Sequence, residues 1–299
     1  MVRDLFDEEL FAEEPRPPER PPREPRRRRR RGGGTRGETV RRVLFALPWI
    51  AFAIAITVAG GLVFALAVVA IGLLCLRECF LMTSELRPLQ PAAYIALAAI
   101  VLAAHFGTAF NVLLVGTASF VLLFIFGARR QARDGIVVAM GITVLGTVWI
   151  GLPLAHAVLL RDLPSHGAAL LADVLVGTFA ADTGAYAVGR MFGTHGIAPS
   201  LSPHKTLEGL VGGFLIGTMA LWFAGLYQDW LSGADALLIG AAVAAIAPVG
   251  DLFASMVKRD LGVKDTGRLF GPHGGMLDRL DALLFTVVVG YYLAVQLVY

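Results

Sequence analysis

Nine apolar runs, each near the length needed to cross a bilayer, follow one another from residue 43 to the C-terminus of this chain. A hydrocarbon core of about 30 Å takes roughly 20 residues of α-helix, and inside it each segment must bond its own backbone N–H and C=O groups. A chain patterned this way is expected to be all-α, a polytopic membrane helical bundle of about nine transmembrane helices. The spans are expected near 43–59, 61–78, 91–107, 109–127, 135–159, 167–188, 208–227, 234–257 and 280–298. Residues 43–78 are long for one helix and short for two, and Gly60-Gly61 in their middle reads as a turn. Charge decides the matter. With two spans there, the N-terminal arginines, Arg77, Arg87, Arg129, Arg130, Arg133, Arg190, Lys205 and the cations of 258–279 fall on one side. The other side receives Arg161 beside Asp162 and the loop Gln228-Asp229-Trp230. Positive loops stay in the cytoplasm. The N-terminus is therefore expected inside, the C-terminus outside, and the chain in the cell (plasma) membrane.

Residues 1–42 differ in kind: an acidic patch (Asp7, Glu8, Glu9, Glu13, Glu14), Pro-Arg repeats, Arg26 to Arg31, then three glycines. In a chain that is 56% hydrophobic and only 16% charged, such a segment has too little apolar surface to fold and reads as a disordered cytoplasmic tail. Its arginines suit anionic lipid and the positive-inside rule; no specific nucleic acid is assigned to them. No apolar leader run lies near Met1, so no signal peptide is expected. The first five spans carry almost no ionisable residues, which divides the rest into an anchoring half, 43–160, and a catalytic half, 161–299. Two cysteines, Cys75 and Cys79, stand four apart in an apolar run and read as ordinary buried thiols, since a disulfide within one helical turn is geometrically poor.

The chemistry gathers at one polar stretch, Ser255 to Asp281, between the last two spans. It holds Lys258, Arg259, Lys264, Arg268 and Arg279 with Asp260, Asp265, Asp278 and Asp281, and centres on His273-Gly274-Gly275. Cations suit phosphate oxygens, carboxylates suit a divalent metal, and glycines let backbone approach a ligand. Topology alone needs neither carboxylates nor paired glycines. On the span before it, Asp251, Ser255 and Lys258 share a helical stripe, and Pro248 is expected to break that helix and open a cavity. Asp251 and Asp278 meet if the loop folds back, and two carboxylates so placed call for magnesium between them. The sixth span carries Asp182, Tyr186 and Arg190 along one face; an intramembrane aspartate is costly and points to function, although a structural carboxylate is the alternative. Asp173, deeper and alone, reads as structural. The following segment, Ser202-Pro203-His204-Lys205-Thr206-Leu207-Glu208-Gly209, reads as a loop in which Thr206 or Ser202 caps the next helix and Lys205 supplies charge for a phosphate.

Residues Ser255, Val257, Lys258-Arg259, Lys264-Asp265, Gly267, Phe270-Gly271, His273-Gly274-Gly275, Met276 and Asp278-Arg279-Leu280-Asp281 resemble the signature of the phosphatidate cytidylyltransferase (CDP-diacylglycerol synthase) family at every fixed position. The segment 202–209 resembles that family's Ser-Pro-Lys-Lys-Thr-x-Glu-Gly motif, with His204 in place of the first lysine. The resemblance implies transfer of a cytidylyl group from CTP to phosphatidic acid at the cytoplasmic side, with Mg2+ on Asp251 and Asp278. It implies catalytic roles for Lys258, Arg259, Lys264, Asp265, His273 and Arg279. Substrate contacts are implied for Asp182, Tyr186, Arg190, Ser202, Lys205, Thr206, Glu208, Ser255, Gly274 and Gly275. The expected partners are CTP, phosphatidic acid and membrane lipids, with a homodimer left open. A CTP-dependent kinase of a polyisoprenoid alcohol is the alternative enzyme. A transporter of an anionic solute is the alternative of another class, though transporters favour midplane sites and paired repeats.

Overall fold

Gly60 and Gly61 both take positive φ, 63° and 52°, and separate α1 (Arg36–Ala59) from α2 (Gly61–Met82) where the sequence pattern expects a turn. The computed structural model describes residues 36–130, 134–270 and 274–299, with 36–46 as backbone only. The acidic and arginine-rich tail, Arg133, Gly271 and His273 therefore lie outside the described residues. Residues 50–299 form one unit, to which the description below refers.

The order continues α3 (Gln90–Phe106), α4 (Ala109–Ala128), α5 (Ile136–Gly146), a π turn over Thr147–Gly151, α6 (Leu152–Arg161) and α7 (Gly167–Phe192). A short hairpin follows, β1 (Gly196–Ala198) with β2 (Ser202–Thr206), and then α8 (Leu207–Gly225), α9 (Gly233–Asp260) and α10 (Leu277–Leu297). Among the described residues α5 and α6 continue through the π turn, so the ten α-helices make about nine rods near the expected positions. Seven of these are long and apolar enough to cross a membrane, and Leu47–Ala59 and Gln90–Phe106 are shorter apolar stretches. Thus α3, at 17 residues, rises only about 26 Å at 1.5 Å per residue.

Lipid offers no hydrophobic drive between helices, so close packing must hold them together. Gly209, Gly213 and Gly217 bring α8 onto α7 so tightly that a Cβ would lie 2.7 Å from Ala185 O, 2.6 Å from Ala181 O and 2.9 Å from Gly177 O. Polar pairs add to this inside the bundle: Thr178 Oγ1 donates to Thr286 Oγ1 at 2.8 Å, and Gln228 Nε2 donates to both oxygens of buried Asp173 at 2.9 Å. Asp173 is in this way satisfied within the fold, as its lone deep position suggests. Phe110, Phe120 and Phe124 of α4 point outward, as side chains do when hydrocarbon is the solvent. Cys75 and Cys79 are free and buried.

Two ends of the bundle are marked by contacts among helix ends and loops. At one, Arg161 Nε donates to Thr57 O at 2.6 Å, His105 Nδ1 pairs with Asp162 Oδ2 at 2.8 Å, and His166 stacks on Trp230 with ring centroids 4.1 Å apart. At the other, Arg130 Nη1 donates to Arg87 O at 3.1 Å and Arg259 Nε to Leu201 O at 3.2 Å. Within residues 50–299 this second end is basic: Arg87, Arg130, Lys205, Lys258 and Arg259 lie in or beside these contacts.

Two local expectations are corrected. The segment after α7 is a hairpin rather than a loop: Leu201 N donates to Ala198 O at 3.1 Å, reversing the chain at Pro199-Ser200 so that β2 pairs antiparallel with β1. Both its faces are largely polar or exposed, so it carries no alternating apolar signal. The helix bearing Pro248 is not broken; α9 runs on through it. Proline there removes a single N–H bond to the preceding turn, and dense packing on α8 and α10 holds the rest.

Candidate active site

Gly250 explains how α9 and α10 bring their carboxylates together. A Cβ there would lie 2.4 Å from Asp281 O and 2.9 Å from Ala282 Cα, so the two backbones touch one residue before Asp251. Asp182 of α7, Asp251 of α9 and Asp281 of α10 stand near enough for their charges to interact. Lys205, at the end of β2, faces Asp251 Oδ2 across 2.7 Å. Its Nζ is buried and makes no aligned hydrogen bond among the described residues. The ammonium has three N–H groups, so most of its donor capacity is unspent.

A second pair lies beside the first. Lys258 Nζ donates to Asp278 Oδ1 at 2.7 Å, and both side chains are largely buried, 13% and 9% exposed. The other oxygen, Asp278 Oδ2, accepts from Thr266 N (2.8 Å), Thr266 Oγ1 (3.0 Å) and Gly275 N (2.9 Å). Asp278 thus ties Thr266 and Gly275 to the first turn of α10. Gly274, at φ 86°, would put a Cβ 2.7 Å from Asp278 Oδ2. The paired glycines, expected to admit a ligand, in this structure admit a carboxylate of the protein itself.

The remaining expected residues divide by place. Ser255 Oγ lies 3.4 Å from Asp251 Oδ1, and Arg190 Nη1 donates to Tyr186 OH at 2.9 Å. Thr206 Oγ1 accepts from Gly209 N at 3.2 Å, which caps α8, whereas Ser202 lies within β2. Glu208 is taken up by the link between α7 and β1: it accepts from Thr194 Oγ1 at 2.6 Å, from Thr194 N at 3.1 Å and from His195 N, and its Oε1 lies 2.7 Å from His195 Nδ1. Arg259 reaches back to the hairpin carbonyl of Leu201. Lys264, Asp265 and Arg279 are exposed.

Glu78, to which the sequence reading assigns no role, is the carboxylate of α2 and is buried in the core. It is 5% exposed and accepts from Met276 N (2.9 Å), Leu277 N (3.0 Å) and Thr266 Oγ1 (3.1 Å). The available signal was a carboxylate in an apolar run, where an ionisable residue points to function.

Among the described residues no three histidine, cysteine or carboxylate groups stand as a ready metal cage. Magnesium does not need one: it takes one or two carboxylates and fills its shell with water and phosphate oxygens. Asp251, whose Oδ1 has only the long Ser255 contact, suits such a role, with the carboxyl groups of Asp182 and Asp281 close by. Asp278 suits it through Oδ1 alone, in exchange for Lys258.

Helical rods holding lysine–carboxylate pairs at one end of the bundle define an integral-membrane protein with a charged site. Residues 40–297 match the model of the cytidylyltransferase family. The chain belongs to that family. It is 37% identical over 149 residues to a phosphatidate cytidylyltransferase of Mycobacterium leprae (strain TN), covering 50% of this chain and 47% of the relative. A Bacillus subtilis (strain 168) protein of the same name is 34% identical over 155 residues, 52% and 58% of the two chains. One from Synechocystis sp. is 30% identical over 298 residues, 86% of this chain and 97% of the relative. The chain spans about half the length of the Mycobacterium relatives it matches.

Proposed function

We propose that this chain is a phosphatidate cytidylyltransferase, converting CTP and phosphatidic acid into CDP-diacylglycerol and pyrophosphate. The observation that carries the reading is the buried Lys205 ammonium with unspent donors, 2.7 Å from Asp251, in a chain whose relatives bear that name. A phosphatidate oxygen is already anionic and needs no base; it attacks the α-phosphorus of CTP, an α-phosphoryl P–O bond breaks, and pyrophosphate leaves. Lys205 and Lys258 hold phosphate oxygens, and Lys258 does so on giving up Asp278 Oδ1. Arg259, Lys264 and Arg279 neutralise the departing pyrophosphate. Asp251 and Asp278 are the residues that would hold magnesium, which supplies charge neutralisation and orients the two phosphates. The basic end is the cytoplasmic one by the positive-inside rule, which puts the N-terminus inside and the site on the cytoplasmic face of the cell membrane.

The test is to incubate purified protein with phosphatidic acid, magnesium and α-labelled CTP. Label in lipid with release of pyrophosphate is expected. Label reaching a polyisoprenoid alcohol from γ-labelled CTP instead would overturn the reading in favour of a kinase.

A further inference from the structure

A carboxylate buried in the bundle is costly unless its oxygens are bonded, and Glu78 obtains all three of its bonds from one place. Met276 N and Leu277 N are the opening amides of α10, and Thr266 belongs to the loop folded over them. Among the described residues Glu78 has no ion-pair partner. The loop is also cut to its shape: a Cβ on Gly267 would lie 2.6 Å from Glu78 Oε1, and one on Gly275 would lie 2.3 Å from Oε2. Hence α2, nearly 200 residues away in sequence, caps α10 in place of a residue of the loop itself.

The link to the site is Thr266. Its hydroxyl carries one proton and faces two acceptors, Glu78 Oε2 at 3.1 Å and Asp278 Oδ2 at 3.0 Å. Its backbone N–H, together with that of Gly275, holds Asp278 Oδ2 and so turns Oδ1 toward Lys258. Glu78 fixes the segment that supplies both amides. We infer that Glu78 is a positioning residue: it does not touch substrate, but through Thr266 and Gly275 it sets the orientation of Asp278 and the exchangeable state of Lys258.

Glutamine in its place keeps the size but faces an N–H donor with its NH2, since both carboxylate oxygens now accept from backbone amides. The loop carries trypsin sites at Lys264 and Arg268, so its order can be read without any turnover. For Glu78→Gln in the full chain we expect cleavage after these residues at least tenfold faster than in wild type. Resting on the cytidylyltransferase reading, we also expect kcat to fall at least thirtyfold, with KM for CTP changed less than threefold. Combined with Asp278→Asn, Glu78→Gln should add less than threefold further loss, because it acts through that aspartate. Wild-type trypsin rates and kcat within twofold of wild type would overturn the inference, as would a double variant whose loss equals the product of the two single losses. If Glu78→Gln does not purify as a single species, the same readouts on Thr266→Val decide in the same directions. Should the wild-type chain label no lipid, the proposed function fails, and the trypsin rates alone decide the role of Glu78.

Discussion

Replacing Asp278 with asparagine tests the site most directly. Of its two oxygens, Oδ2 accepts three donors and Oδ1 accepts one, Lys258. The amide will therefore keep its carbonyl on the three donors and turn its NH2 toward the Lys258 ammonium, donor against donor. At 9% and 13% side-chain exposure the pair is little screened by solvent, and breaking a buried pair costs about 3–5 kcal/mol. The site borders the aqueous face, so the lower end applies. That cost falls on the resting fold, because Lys258 gives up Asp278 Oδ1 in the proposed reaction; the loss in turnover comes from the charge that would hold magnesium, about two orders of magnitude or roughly 3 kcal/mol in barrier. Because the loop keeps its three bonds to the carbonyl, the variant should still insert and purify. The assay is lipid labelling from α-labelled CTP in detergent, with a parallel magnesium titration; excess magnesium should restore part of the rate if cation affinity is what was lost. Asp251→Asn should behave alike, since it strips the charge that faces Lys205. Asp260 and Asp265, exposed in the same polar stretch, are the controls, with smaller losses expected from asparagine. Near-complete loss in Asp260→Asn and Asp265→Asn, with most activity kept by Asp251→Asn and Asp278→Asn, would refute this account of the metal and phosphate site.

Three further outcomes are expected. Gly250→Ala, whose new methyl would lie 2.4 Å from Asp281 O, should push α9 off α10 and lower turnover at least tenfold, while circular dichroism reports an unchanged helix content. A cysteine replacing Asp229, in a chain otherwise lacking thiols, should react with an impermeant maleimide in intact cells; reaction only after lysis would reverse the proposed orientation. Deleting residues 1–35 should leave turnover in detergent within about tenfold, roughly 1.4 kcal/mol in barrier, because the groups assigned to the site all lie within residues 182–281.

What could be read from the chain in one dimension is whatever the bilayer itself enforces. Hydrocarbon thickness sets the length of a span, so the nine rods fall where the apolar runs fall, and the Gly60-Gly61 break is visible because no other residue pair so readily takes two positive φ angles in succession. The spacing of Asp251, Ser255 and Lys258 follows from helical period alone, and so does the shared face of Tyr186 and Arg190. The partners of these groups are a different matter. Lys258 chooses Asp278, and Lys205 chooses Asp251, only because Gly250 lets α9 and α10 touch and the hairpin returns β2 beneath α9. Glu208 has the look of a ligand within its motif, yet Thr194 and His195 of the link between α7 and β1 occupy it. Glu78 shows the limit most clearly. Its neighbours in sequence are apolar residues, Arg77 and a thiol, and its bonds go to residues 266, 276 and 277. Local periodicity is governed by a solvent that acts on each segment separately. The pairing of buried charges is governed by which backbones approach within a few ångströms, and that depends on the whole bundle at once.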